Sequence, residues 1–412
     1  MFSPQRSHTE QKESKMKFCL PEHITPEIFL RDYWQKKPLL IRNGLPEIVG
    51  MFEPDDIIEL AQQEDVTSRL IKQFSEDNWQ LARSPLTAKD FKNLPAQWSV
   101  LVQNLEQWSP ELGQLWHAFG FIPQWQRDDI MVSYAPAGGS VGRHYDEYDV
   151  FLVQGYGHRR WQLGKWCDPS TEFKANQPIR IFDDMGELIL DEVMAPGDIL
   201  YVPSRLSHYG VAQDDCLTFS FGLRYPNVAD LFDNINKGMC QALPEIDLTE
   251  LNIPLRLSPA TQATGKLDPV MVENMKQQFF AKLANSAQFD RLFQHAVATT
   301  VSSRRYELLE TEGYCDLDEV RSILAENGTI VQDNNCKLLY LENPLRVYAN
   351  GEWLDELNEI EALVLKALAD GQQLDFAFLT QLCAQADDPD STLDLLLDSL
   401  CNWLDDGWVL LE

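Results

Sequence analysis

In the run GGSVGRHYDEYDVFLVQG, His144 and Asp146 stand two positions apart. On a strand, alternate side chains share a face, so an imidazole and a carboxylate at this spacing can reach one point in space. A second run, PGDILYVPSRLSH, carries His208 past a turn to the start of a further strand. If the sheet closes, His208 comes to lie opposite the His-x-Asp segment. Two imidazoles and one carboxylate occupy one face of an octahedron and leave three positions open. That is the donor set of a non-heme iron(II) centre, not of a closed structural zinc site.

The glycine spacing around these residues is correlated as in cupin-like barrels. Gly138 precedes His144 by six positions, Gly197 precedes Pro203 by six, and His208 lies five beyond. A hydrogen-bonded core histidine and a turn aspartate would leave this pattern unexplained. The five other histidines have blander settings: His8 in a polar N-terminal run, His23 before a helix, His117 and His295 on aromatic-rich helical faces, and His158 in a hairpin turn.

An iron centre with three protein ligands needs two further electrons to use dioxygen. A chelating 2-oxoglutarate supplies them, and its far carboxylate then requires a cation. A guanidinium, always charged and able to donate two parallel hydrogen bonds, suits that task. Arg159 and Arg160 follow the GYG turn on the strand after the His-x-Asp segment. A period of two puts Arg159 with Trp161 on one face and Arg160 with Gln162 on the other, without saying which face is inside. Ser133, on the run IMVSY, offers a hydroxyl to the same carboxylate or is simply a half-buried strand serine.

These residues need a scaffold, and the chain is long enough to provide one. At 412 residues it predicts two or three domains. Thr25 and Pro26 open a first helix that Lys37–Pro38 stops, and a second starts near Pro54. The stretch from Trp79 to Trp125 reads as mostly helical. From Asp129 to Arg224 short β-branched and aromatic runs alternate with GGS, GYG, PGD and QDD turns, which predicts an antiparallel sandwich or barrel. Val228 to about Leu308 reads as helical. The last part, with LLYLENPLRVYANG, two helices and a terminal WVLLE, suggests a winged-helix-like module.

Lys and Arg total 34 against 64 Asp and Glu, a net charge of −30. Such a field repels phosphate backbones and anionic lipid and draws in cationic partners. Between Gly351 and Glu412 the only basic side chain is Lys366, so direct DNA binding by the terminal module is not expected. The eight cysteines form no CxxC pair, and no apolar run approaches a membrane span. A reduced, unanchored, cytoplasmic protein is expected.

The block DDIMVSYAPAGGSVGRHYDEYDVFLVQGYGHRRWQLG, with PGDILYVPSRLSHYGVA and FSFGLRYPN, closely resembles the bacterial JmjC-type ribosomal oxygenases. The resemblance runs over nearly the whole chain from Met16, including WQKKPLLIR and VYANGE. Where the family pattern runs HLDQYDVF and GRRRW, this chain has HYDEYDVF and GHRRW, so Tyr145, Glu147 and His158 differ. The resemblance implies a mixed α+β chain with a JmjC/cupin double-stranded β-helix core and helical flanks. Its implied domains are a disordered tail (1–15), a JmjC/cupin catalytic domain with N-terminal helices (16–226), a helical dimerisation region (227–308) and a winged-helix-like domain (309–412). It also implies His144, Asp146 and His208 as ligands of Fe(II), with Arg159 and Ser133 holding 2-oxoglutarate. The expected activity is 2-oxoglutarate-dependent hydroxylation, with O2 as the other cosubstrate, at the β-carbon of an arginine in the sixteenth large-subunit ribosomal protein, by a homodimer. Glu147, Asp149 and Tyr156 are candidates to meet a cationic substrate group. A JmjC histidyl hydroxylase or lysine demethylase would share every metal and cosubstrate residue, and a cupin-sensor transcription regulator is a reading of another class.

Overall fold

Thr25 caps the first helix as its place before Pro26 requires. Its hydroxyl accepts from the Ile28 N–H, and α1 spans Pro26–Asp32. The computed structural model describes residues 17–241, 243, 246–256, 268–304 and 315–412. The run read as a disordered tail lies outside the described residues. The chain divides after Arg224 into two compact units.

In the first unit, α1 is followed by β1 (Leu39–Ile41), α2 (Pro54–Leu60), β2 (Ser68–Ser75), β3 (Asn78–Arg83), β4 (Gln97–Val102) and α3 (Pro110–Gln114). Then come β5 (Arg127–Ala135), β6 (Val150–Tyr156), β7 (Arg159–Trp166), β8 (Leu190–Met194), β9 (Ile199–Val202), β10 (Leu206–Ala212) and β11 (Cys216–Leu223). One eight-stranded sheet has the order β1-β9-β6-β11-β5-β4-β2-β3, and a three-stranded sheet has the order β10-β7-β8. All pairings in both are antiparallel, the facing-sheet arrangement of a double-stranded β-helix.

Period two explains how the sheets stack. On β6, Phe151 and Val153 point into a large core with Phe29, Phe119 and Tyr201, while Val150 and Leu152 point the other way, to Trp161, Leu163 and Leu206 of the small sheet. Both faces of β6 are therefore covered, and its first four residues, VFLV, read as a continuous apolar run for that reason.

The stretch from Trp79 to Trp125 differs from its helical expectation, because β3 and β4 lie within it. Trp79 is a buried strand residue against Ile71, Leu101 and Ile181, and Trp98 meets Tyr134 edge-on at 5.4 Å. NWQLAR and QWSVLV pair on either side of β2, so cross-strand partners, not helical spacing, bury these tryptophans.

The second unit opens with α4 (Val228–Cys240), α5 (Pro269–Leu283), α6 (Ala287–Ser302) and α7 (Leu317–Ala325). It continues with β12 (Thr329–Gln332), β13 (Leu338–Leu341), β14 (Arg346–Ala349), β15 (Glu352–Trp353), α8 (Glu359–Ala369), β16 (Leu374–Asp375), α9 (Phe376–Cys383), α10 (Pro389–Asp405) and β17 (Val409–Leu411). LLYLENPLRVYANG forms the β13–β14 hairpin, Leu338 opposite Ala349. Asn358 and Glu361 form the capping box that starts α8. Val347, Val364, Leu368, Leu397 and Leu400 are among the side chains of one core beneath these elements.

Candidate metal centre and cosubstrate site

His144 lies outside the named strands, in the segment between β5 and β6, and pairs with His208 at the head of β10 through an isolated antiparallel bridge. The His144 N–H donates to the His208 carbonyl at 3.1 Å, and the His208 N–H donates back at 2.8 Å. A doubly bonded antiparallel pair sets both side chains on one face. The imidazoles consequently lie side by side, ring centroids 4.2 Å apart. Asp146 is not on a strand, contrary to the expected His-x-Asp strand. Its carbonyl instead accepts from the Arg205 N–H at 2.7 Å, and its carboxylate stands 3.5 Å from His208 Nε2. One donor atom from each of His144, Asp146 and His208 lies within 4.8 Å of the others.

Both imidazoles are oriented by their own backbone. His144 Nδ1 is 3.0 Å from the Gly142 carbonyl, and His208 Nδ1 is 3.0 Å from the Leu206 carbonyl. A carbonyl can only accept, so each Nδ1 carries the proton and each Nε2 keeps its lone pair. Burial, with His144 adding to it, pushes His208 down to about 4, which keeps it neutral, the form a metal needs. Gly142 makes this possible. Its φ is +89°, and a Cβ there would sit 2.5 Å from Ile181 Cγ2. The donor set and its fixed tautomers suit an octahedral divalent ion with open positions.

Arg159 and Arg160 part company. Arg160 projects outward and makes a bidentate pair with Asp191, both bonds 2.6 Å. Arg159 is 2% exposed. Its Nη1 donates to Ser133 Oγ at 3.1 Å, its Nε lies 3.4 Å from Cys216 Sγ, and its Nη2 is buried without a protein partner. A buried guanidinium with an unused donor and, among the described residues, no carboxylate within ion-pair distance fits an anionic ligand. The distal carboxylate of 2-oxoglutarate has the matching charge and geometry.

Trp161 links this guanidinium to the metal site, a role the sequence reading did not give it. The Arg159 guanidinium lies 5.8 Å from its ring centre, and its ring centre is 6.0 Å from that of His208. Its indole Nε1 is also buried without a protein partner. Gly210 permits this, since a Cβ there would stand 2.7 Å from the indole. Trp161 shares a strand face with Arg159, and that period was the available signal.

Comparison with known proteins agrees with this geometry. The family described as JmjC domain matches residues 114–231, and that described as ROXA-like winged helix matches 281–402. A probable ribosomal oxygenase of Haemophilus influenzae is 71% identical over 97% of this chain and 99% of its own length. The ribosomal protein uL16 3-hydroxylase of Escherichia coli is 30% identical over 79% of this chain and 84% of its own. The chain belongs to the ribosomal oxygenase family. The solved E. coli ribosomal oxygenase in complex with cobalt and 2-oxoglutarate superposes on this oxygenase with a TM-score of 0.70 at 28% identity, covering 93% of this chain and 97% of that one.

The substrate-side candidates fare unequally in the oxygenase. Glu147 is exposed and bound to Arg205 Nε at 2.7 Å. Tyr156 ends β6 half-buried against the large core. Asp149 is 0% exposed, accepting from the Tyr201 hydroxyl at 2.7 Å and the Ser204 N–H at 3.1 Å; it holds the loop before β10 and presents no face to a substrate. Tyr148, which the sequence reading passed over, is kept protonated chiefly by the nearby Asp146 and by burial, with Asp129 and Asp128 adding to both. Its phenol therefore stands as a neutral donor beside the metal ligand.

Proposed function

We propose that this chain is an Fe(II)- and 2-oxoglutarate-dependent hydroxylase acting on the β-carbon of an arginine in a basic large-subunit ribosomal protein. The observation that carries it is the pairing of a two-histidine, one-carboxylate set, each Nε2 unprotonated, with a buried arginine that has an unused donor. His144, Asp146 and His208 would hold the iron, and Arg159 with Ser133 the distal carboxylate, with the Trp161 N–H as a further donor. When bound, the iron supplies oxidation of a C–H bond by dioxygen, coupled to conversion of 2-oxoglutarate to succinate and carbon dioxide.

The protein's own share is positioning. Fixed tautomers deliver unprotonated nitrogens, and the Trp161 ring centre lies 6.0 Å from that of the buried His208. Glu147 and Tyr156 are the substrate-side groups; a cationic guest at Glu147 must displace Arg205. The relatives named for ribosomal protein hydroxylation and the net charge of −30 support a basic protein substrate.

A homodimer is supported by exposed apolar side chains on α4 and α5, Phe232 at 62% and Val270 at 66% among them. Sedimentation of the full chain tests it. The eight cysteines are all free, which agrees with a cytoplasmic setting, and no helix of the described residues is long and apolar enough to cross a membrane.

The deciding experiment is mass spectrometry of ribosomal proteins incubated with enzyme, iron(II), ascorbate and 2-oxoglutarate. A single oxygen gained on an arginine of the sixteenth large-subunit protein is expected. Oxygen on a histidine, or loss of a methyl from lysine, would overturn the arginine assignment.

A further inference from the structure

On the second unit, Arg346 opens β14 and is 6% exposed. Alternation along the strand sends Val347 and Ala349 into the core beneath α8 and turns Arg346 and Tyr348 to the other face, toward α6. There the guanidinium has only neutral company. Nη2 makes one long bond, 3.4 Å, to Gln294 Oε1. The cation lies 5.8 Å from the Trp353 ring centre, and it also meets the Tyr348 hydroxyl. Its Nε is buried with no protein partner. Among the described residues, no carboxylate stands within ion-pair distance of it.

That isolation is unexpected in a chain with 64 acidic residues and 34 basic ones. Arginine is almost never buried unless paired, and an unpaired buried charge is expensive. A cavity of about 210 Å³ adjoins it, walled by Leu345, Trp353, Leu354 and Leu357. Asp355 also borders this space, but it is exposed and forms no ion pair with Arg346. The cavity is thus bordered by one buried cation, and its lining mixes polar surface with the apolar side chains of Leu345, Trp353, Leu354 and Leu357. Its complement is a molecule with a carboxylate at one end and a small apolar body at the other.

We propose that the winged-helix unit binds a small apolar carboxylate in this cavity, with Arg346 as the anchor of its charged end. The site is separate in chemistry from the one around Arg159, since no metal-ligand cluster borders it among the described residues. It does not depend on the identity of the ribosomal substrate.

The test uses 4-fluorobenzoate and fluorine NMR on the full chain, loaded with zinc and saturating 2-oxoglutarate so that Arg159 is already engaged. Millimolar probe should broaden and shift on adding protein, while 4-fluorobenzyl alcohol should not. Arg346→Met should weaken carboxylate binding at least about tenfold, because the charge-assisted bonds are lost, with the melting temperature unchanged or raised, because an unpaired buried charge has been removed. Leu345→Trp, which keeps the guanidinium and fills the chamber, should abolish binding without lowering the melting temperature. No binding by wild type, equal binding of acid and alcohol, or unaltered affinity in Arg346→Met would each overturn the proposal. So would a clear fall in the melting temperature of Arg346→Met, which would make the residue a structural one.

Discussion

Arg159 and Arg160 are chemically identical neighbours with opposite fates. The outward guanidinium already has a carboxylate, Asp191, and is half in water, where such a pair contributes little. The inward one has a hydroxyl, a thiol and a spare donor. Arg159→Ala should therefore raise the KM for 2-oxoglutarate by about 10- to 100-fold, the scale of one or two charge-assisted hydrogen bonds. Arg160→Ala should leave it within about twofold, as expected of a solvated surface pair. Steady-state kinetics on both variants checks this, and equal effects would contradict the assigned faces. The sequence placed the two arginines on different faces through the period of a strand but could not orient the strand. The inside was decided by what β7 packs against, and that information resides in β10 and β11, some fifty residues downstream. Asp149 shows the converse. Its acidic type suggested a cation partner, and only the Tyr201 hydroxyl and the Ser204 N–H reveal a buried loop anchor.

At the level of elements, the metal ligands hang on one bridge between two chain segments and on a glycine just before the first histidine. Gly142 combines a left-handed φ of +89° with no room for a methyl group, and its carbonyl orients His144. Gly142→Ala should lower the affinity for divalent metal by about 10- to 100-fold, the usual cost of losing a group that orients a ligand. Titration calorimetry with cobalt would measure it, and an unaltered affinity would mean that His144 needs no such support. The His144/Asp146/His208 set was legible because glycine spacing and donor types agree. The local element was not, since Asp146 is held by the Arg205 N–H in a loop and not by a strand. The Trp79 region misled for a related reason. Tryptophan carries no decisive period of its own, and β2, which fixes both strands, joins β3 through a two-residue turn without a strong turn signal and meets β4 only some twenty residues on.

Across the whole molecule, charge is the dominant feature. Steering of a basic partner by a net charge of −30 should show as a fall in kcat/KM of about tenfold between 50 and 500 mM salt with kcat nearly constant, since screening acts on encounter and not on chemistry. Stopped-flow or initial-rate measurements against ribosomal protein would detect it; a flat profile would remove long-range attraction from the account. The acidic terminal module belongs to the same picture, because a winged-helix unit whose last helices carry almost no basic side chains has little to offer a phosphate backbone.

The reciprocal main-chain bonds between His144 and His208 bear on what happens when the ion is taken away. They tie the two ends of the ligand set together with no help from a cation, and each ring is already braced by a carbonyl two residues upstream. Unlike a zinc finger, whose folding free energy is its ion affinity, this enzyme should survive chelation as a folded apoprotein. Scanning calorimetry with and without chelator should show a melting shift no larger than mass action allows. Starvation for iron would then idle the enzyme rather than destroy it, and a returning supply would switch on molecules already made.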